Sequence, residues 1–404
     1  MSPSSGGANG ATGGGSEATG GATGAGTGGA TAGSGGAGDA GGDPRGTGGA
    51  AVGSGGGGTS PGTSTGGGGG NAGNRSGGAS GGRGAGGHAG GNGGSAGSAA
   101  PADCPGAPYD GTRPTPLTLS GSLGAHDPAA LVAGTTIYLA ATGLVAKTSP
   151  DLKTWQSAAT PLALPDWART ATGAKDLWAP DLASFGGVYH LYYAASTFGS
   201  NKSCIGHATR AALDGGVWTD QGMVLCSNAA GTKDDWNAID PNIVIDDIGT
   251  PWMVFGSFWS GIKAVKLDMS GRRADNDMYA IANHADGGIE GAWVFRRCGT
   301  YYLFVSWGAC CSGAYDYNIR VGRAAAITGP YVDKAGNSML SGGGTLLVKG
   351  DASWVAPGHN AVITYAGKTY NLYHALKGSS TGAATLRVSE LVWDPDGWPV
   401  SGGP

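Results

Sequence analysis

Five polar side chains, Asp127, Asp181, Asp240, Glu290 and His359, each stand at the head of a short apolar run in this sequence of 404 residues. In "IEGAWVFRRCGTYYLFVSWG", residues 289–308, Glu290 is the only acid. A carboxyl group placed there can hold a cation or move a proton. Several of them around one cavity could cleave a glycosidic bond, which takes two carboxyl groups on opposite sides of that bond. One protonates the leaving oxygen; the other stays ionised and activates water or attacks. A third raises the pKa of the acid by charge repulsion. A lone Asp-Pro is ordinary turn chemistry. Five phased copies of a polar residue at the same place are not.

The elements that must position these residues repeat with them. "HDPAALVAGTTIYLAATG", "APDLASFGGVYHLYYAAS", "IDPNIVIDDIGTPWMVFGS", "IEGAWVFRRCGTYYLFVSW" and "GHNAVITYAGKTYNLYHAL" share one order: polar residue, apolar strand, Gly-containing turn, aromatic-rich strand. The intervals between the polar residues are 54, 59, 50 and 69. A period of this size, built of short strands, marks a propeller. A blade cannot bury its own faces, so blades pack around an axis. "LVAKTSPDLKTWQ", "CIGHATRAAL", "IKAVKLD" and "IRVGRAAAITGPY" supply further strands for four-stranded blades. The expected fold is therefore all-β, a five-bladed β-propeller. If each repeat begins at the innermost strand, the five polar residues converge at one end of the central channel. Trp178, Phe198, Trp259, Trp293 and Trp307 fall close to them. They suit either the apolar face of a sugar ring or packing between blades.

Composition divides the chain. Of its 84 glycines, 45 lie in the first hundred residues, among Ala, Ser and Thr, while all 12 Trp come later. The first stretch cannot bury enough surface to offset its ordering entropy and is expected to be a disordered tether, residues 1–103. Runs such as "GGGGG" break the period that collagen requires. Residues 104–404 are enough for the propeller and nothing more. The net charge of −4, with no basic block, argues against a nucleic-acid partner. No apolar run is long enough to span a membrane. "MSPSSGGANG" shows no signal peptide, yet a tether before an aromatic-rich domain suggests a protein outside the cell or at its surface, with a leader missing from this chain. Six cysteines lie at 104, 204, 226, 298, 310 and 311. Without a CxxC pair a zinc ribbon is unsupported. Cys204 could bridge to Cys226, and Cys298 to Cys310 or Cys311 across a hairpin; buried free thiols are the other reading.

"HDP", "WAPD", "YYAASTFGSNKSCIGHAT", "WNAIDPN", "VFGSFWSGI", "IEG", "YYLFVSWGACCSG", "IRVGRAAAITGPY", "PGHN" and "WDPDGWPV" together resemble the endo-acting α-1,5-L-arabinanases of glycoside hydrolase family 43, over roughly residues 115–402. The resemblance implies a propeller that hydrolyses internal α-1,5 bonds of arabinan, a pectic side-chain polysaccharide, with inversion. It makes Asp127 the general base, Asp240 the group that tunes the acid, and Glu290 the general acid. It places Trp178 and Phe198 against the sugar. Asn237 of "WNAIDPN", and Ser257 and Trp259 of "VFGSFWSGI", are expected substrate contacts. It gives His359 a calcium ion, held largely through waters, although one His alone is a poor site for a hard cation. Asp181 could contact substrate or tie blades together. A monomer is expected. Two alternatives stand: an exo-acting arabinofuranosidase or xylosidase on the same propeller, and a non-catalytic sugar-binding module. Neither GxGxxG before a helix nor a GxSxG elbow is present in the propeller, so dinucleotide or serine-hydrolase chemistry has no support.

Overall fold

A computed structural model describes Cys104 and residues 109–228, 231–285, 287–310, 316–378 and 383–404. The expected tether, residues 1–103, and Cys311 lie outside the described residues. The rest forms five sheets, four of them antiparallel throughout and the first with one parallel edge pair. Their innermost strands are Ala129–Ala133, Trp178–Phe185, Asn242–Ile245, Ile289–Arg297 and Trp354–Tyr365. Each innermost strand packs on the next, and the fifth returns to the first, which closes a ring. This is the five-bladed propeller that the repeat predicted.

Alternation explains why the blades stack. Each aromatic-rich second strand is buried on both faces, as in "VYHLYYAA" and "TYYLFVSW". Five buried apolar clusters result among the described residues, one at each blade boundary. Leu139, Ile363 and Leu372 join blades one and five. Ile262, Val294 and Leu303 join blades three and four. Each fully buried side chain of this size contributes about 1.5–3 kcal/mol. The ring is closed by the segment that precedes the first blade. Leu117 N–H donates to the Val388 carbonyl and Leu386 N–H to Leu123, while Ser120–Gly121 pairs in parallel with the outer strand Thr154–Ala158.

The phase of the repeat differs from the sequence expectation. Asp127, Ala179, Asp240, Gly291 and His359 all have positive φ, one at the head of each blade. These five are the equivalent positions. Asp181 therefore sits two residues further down its strand, and Glu290 one residue earlier. From there the Asp181 carboxylate accepts from Ile243 N–H at 2.6 Å and Asn242 Nδ2 at 3.2 Å. Asn242, two past the head of blade three, accepts in turn from Val294 N–H at 2.8 Å. One position thus latches blade two to three and three to four. Asp181→Ala strands a buried N–H and should cost about 3 kcal/mol, read as a fall in Tm with kcat of the folded fraction nearly unchanged.

Two disulfides are defined by both partners. Cys204–Cys226 joins neighbouring strands, as expected. Cys298 bonds Cys104, 194 residues away, and not Cys310 or Cys311. The reason is geometric. Cys298 lies in the turn at the far end of its hairpin, while Cys310 follows the near end, a full strand of 8 residues away, or about 25 Å. Cys310 is itself disulfide-bonded, so the free-thiol reading fails for the described cysteines.

Candidate active site

The left-handed heads of the blades turn their side chains toward the axis, and short polar residues tolerate that backbone best. Four of their N–H groups are bonded across the boundaries. Ala179 N–H donates to Thr142 Oγ1 at 2.9 Å, Gly291 N–H to Asp240 Oδ2 at 3.0 Å, His359 N–H to Ser306 Oγ at 2.7 Å, and Asp127 N–H to His374 Nδ1 at 3.1 Å. In each pair the acceptor belongs to the preceding blade. Gly291 is required for a different reason from the one its place beside Glu290 suggests: a Cβ there would lie 3.1 Å from the His359 ring.

Asp127 is buried among three imidazoles. Oδ1 faces His359 Nδ1 at 3.2 Å, and Oδ2 faces His126 Nδ1 at 3.3 Å while accepting from Thr142 Oγ1 at 2.6 Å. Burial pushes this carboxyl up, but His126 and His359 outweigh it and hold the pKa well below the usual range. Its partner His359 loses to burial but gains more from Asp127, Asp240 and Glu290, and rises to about 9. It is a cation at neutral pH. His374 is the opposite. Burial, with His126 beside it, drives it well below the usual histidine value. Its Nδ1 accepts the Asp127 N–H, so its approach of 3.6 Å to Oδ1 is no ion pair.

The other two carboxyl groups are both raised. Burial, then the charges of Glu290 and Asp127, lift Asp240 to about 7 against the pull of His359. Burial and Asp127 raise Glu290 against a 2.9 Å hydrogen bond from Ser257 Oγ. One cavity therefore sets a carboxyl whose pKa is lowered beside two whose pKa values are raised. Asp240 and Glu290 titrate as a pair. Asp240→Asn removes the neighbouring charge, so the alkaline limb of the kcat/KM profile should move down by about one pH unit. An unmoved limb would count against the tuning role.

Asp127, Asp240, Glu290, His359, Trp178, Phe198, Asn237, Ser257 and Trp259 line a single cavity of about 560 Å³. Phe198 is 78% exposed and Trp259 45% exposed, which suits rim contacts. Asp181 is absent from this wall; its oxygens are committed to the blade latch. Trp293 lies in a smaller, mostly apolar cavity at the other end of the axis, lined by all five innermost strands. Trp307 is packed between His284 and Arg320. Sequence reasoning missed His126, Thr142 and His374. The available signal was a histidine in the midst of an apolar strand, "NLYHAL", and the polar residues flanking "HDP" and "YLAAT".

The expected calcium finds a poor donor set. A hard cation takes six to eight oxygens. His359 offers one nitrogen beyond Nδ1, which faces Asp127, so an ion there would take its oxygens from water, as expected. His126, Asp127 and His374 bring donor atoms within 4.8 Å of one another. The Nδ1 lone pair of His374 is already taken by Asp127 N–H.

Comparison with known proteins agrees with this geometry. The profile of glycosyl hydrolases family 43 matches residues 121–399. The chain is 38% identical over 297 residues to the extracellular exo-α-(1→5)-L-arabinofuranosidase of Cellvibrio japonicus, covering 68% of this chain and 85% of that protein. It is 38% identical over 286 residues to the extracellular endo-α-(1→5)-L-arabinanase 1 of Bacillus subtilis, covering 68% and 86%. The α-L-arabinanase of Cellvibrio cellulosa complexed with arabinohexaose superposes with a TM-score of 0.65 at 36% identity, over 70% of this chain and 100% of that one.

Proposed function

The chain belongs to glycosyl hydrolase family 43 and is a glycosidase, and from that premise we propose that it hydrolyses internal α-1,5-L-arabinofuranosidic bonds of arabinan with inversion. The observation that carries this reading is the division of labour in the cavity: Asp127 set among imidazoles that hold its pKa down, Glu290 buried on the same wall with its pKa raised. Asp127 takes a proton from water as that water attacks the anomeric carbon. Glu290 gives its proton to the departing oxygen. Ser257 donates to Oε2 of Glu290, which leaves Oε1 to carry the proton. Asp240 accepts from the N–H of the next residue, Gly291, and so holds the acid in place; the Glu290 charge raises Asp240, and by reciprocity an ionised Asp240 opposes loss of the acid's proton. Trp178, Phe198 and Trp259 offer faces for sugar rings, and Asn237 is fixed by a 2.6 Å bond from Ser203 Oγ. Disulfides and relatives named extracellular support a secreted protein.

Exo action is the second reading, favoured by the equal identity to the exo-acting relative. Chromatography of early products from linear α-1,5-arabinan separates the two. Mixed oligosaccharides support endo cleavage; one short product from the outset assigns exo action; binding without release would leave a sugar-binding module. Proton NMR of the first-formed sugar tests stereochemistry, and an α-anomer appearing first would overturn inversion.

A further inference from the structure

We propose that Tyr317 is a positioning residue for the acid: its hydroxyl donates a hydrogen bond to the Glu290 carboxylate that remains once the proton has passed to the leaving oxygen. The proposal rests on the reading of Glu290 as general acid.

The phenol ring is wedged between blades four and five at the axis. A Cβ on Gly358, the residue before His359, would overlap it, so the glycine makes its niche. The ring stacks on His374 with centroids 5.9 Å apart and planes 15° apart. Register brings its hydroxyl toward the acid. Glu290 pairs with Ser306, and Ser306 with Ile319, two residues along from Tyr317 and so on the same face. Ser306 Oγ already accepts from His359 N–H at 2.7 Å. The Tyr317 hydroxyl is fully buried and completes no well-formed hydrogen bond in this state, yet it stands close enough to the Glu290 carboxyl to pull that group's pKa down, and close to Ser306. A buried hydroxyl left poorly paired is costly and calls for an explanation. Here the partner is at hand. Before the transfer Glu290 is a neutral acid and a weak acceptor. After it, the carboxylate is a strong one. Burial and the charges of Glu290 and Asp127 hold the phenol well above its usual pKa, so it keeps its proton and serves as a donor only.

The test is Tyr317→Phe, which retains the ring and its niche. Losing the donor makes the carboxylate less favourable. The alkaline limb of kcat/KM should move up by about one pH unit. On arabinan kcat should fall about tenfold with KM little changed, while an aryl arabinofuranoside with a good leaving group is spared. An equal loss on both substrates with the limb in place would mean that the residue only packs, and would overturn the assignment. If the Phe variant fails to fold, 3-fluorotyrosine introduced at position 317, a stronger donor, should move the limb down; no movement overturns the proposal. Glu290→Gln keeps the two ideas apart. If it retains activity on arabinan, the acid assignment fails; if it loses activity and Tyr317→Phe leaves the limb unmoved, only the role of Tyr317 fails.

Discussion

Glu290→Gln should lower kcat/KM on linear arabinan on the order of a thousandfold, because glutamine fits the site but cannot give a proton. An aryl arabinofuranoside whose leaving group departs without protonation should lose far less. The contrast between substrates is the measurement that counts. A uniform loss would point to disturbed binding, and the Ser257 contact at 2.9 Å would be the first suspect. Glutamine can accept that bond through its amide oxygen, so the wall of the cavity should hold its shape. Retention of activity on arabinan would remove Glu290 from the mechanism.

Asp127→Asn should be the more severe change. It should cost on the order of a thousandfold or more on both substrates, since each needs an activated water. Substantial turnover of the aryl substrate would contradict the base assignment. A second readout follows from the charges. His359 stands at about 9 chiefly because Asp127 offsets the cost of its burial. Without that carboxylate its titration, followed by NMR, should fall well toward or below the ordinary value of about 6.5. The pH dependence of stability has the matching signs. The folded pKa of Asp127 is depressed, so its contribution is present above the unfolded value of about 3.9 and lost as pH falls. That of His359 is raised, so its contribution is full below about 6.5 and lost as pH rises through about 9.

Much of this was legible in the sequence because the repeat is written in residue types. Asp, Glu or His followed by an apolar strand, a Gly turn and an aromatic strand located every blade. The carboxyl groups Asp127, Asp240 and Glu290 followed from that phase and from the resemblance. The exact register was not legible. Asp181 and Ala179 are two residues apart, and nothing in "WAPD" says which of them carries the positive φ. Cys104 and Cys298 meet only because the ring brings distant segments together. His374 and Tyr317 look like ordinary members of buried strands, since a polar atom at the tip of an aromatic ring leaves the pattern of hydrophobicity intact. Trp293 and Trp307 failed the other way: proximity in sequence to the acid did not place them on its side of the sheet.

The ring of left-handed residues carries a consequence for what this scaffold can host. Its five sockets hold Asp, Ala, Asp, Gly and His. The backbone is five-fold in kind, yet its occupants give two carboxyls, one imidazolium and two blanks. Branched side chains are excluded by the positive φ, and long ones are disfavoured. The alphabet available on the axis is thus short: carboxylate, amide, imidazole, or nothing. Changing a letter need not disturb a ladder of hydrogen bonds, because each socket lies just ahead of its strand or at a break in the strand's register. A symmetric frame can in this way be made chemically one-sided by substitutions at three places.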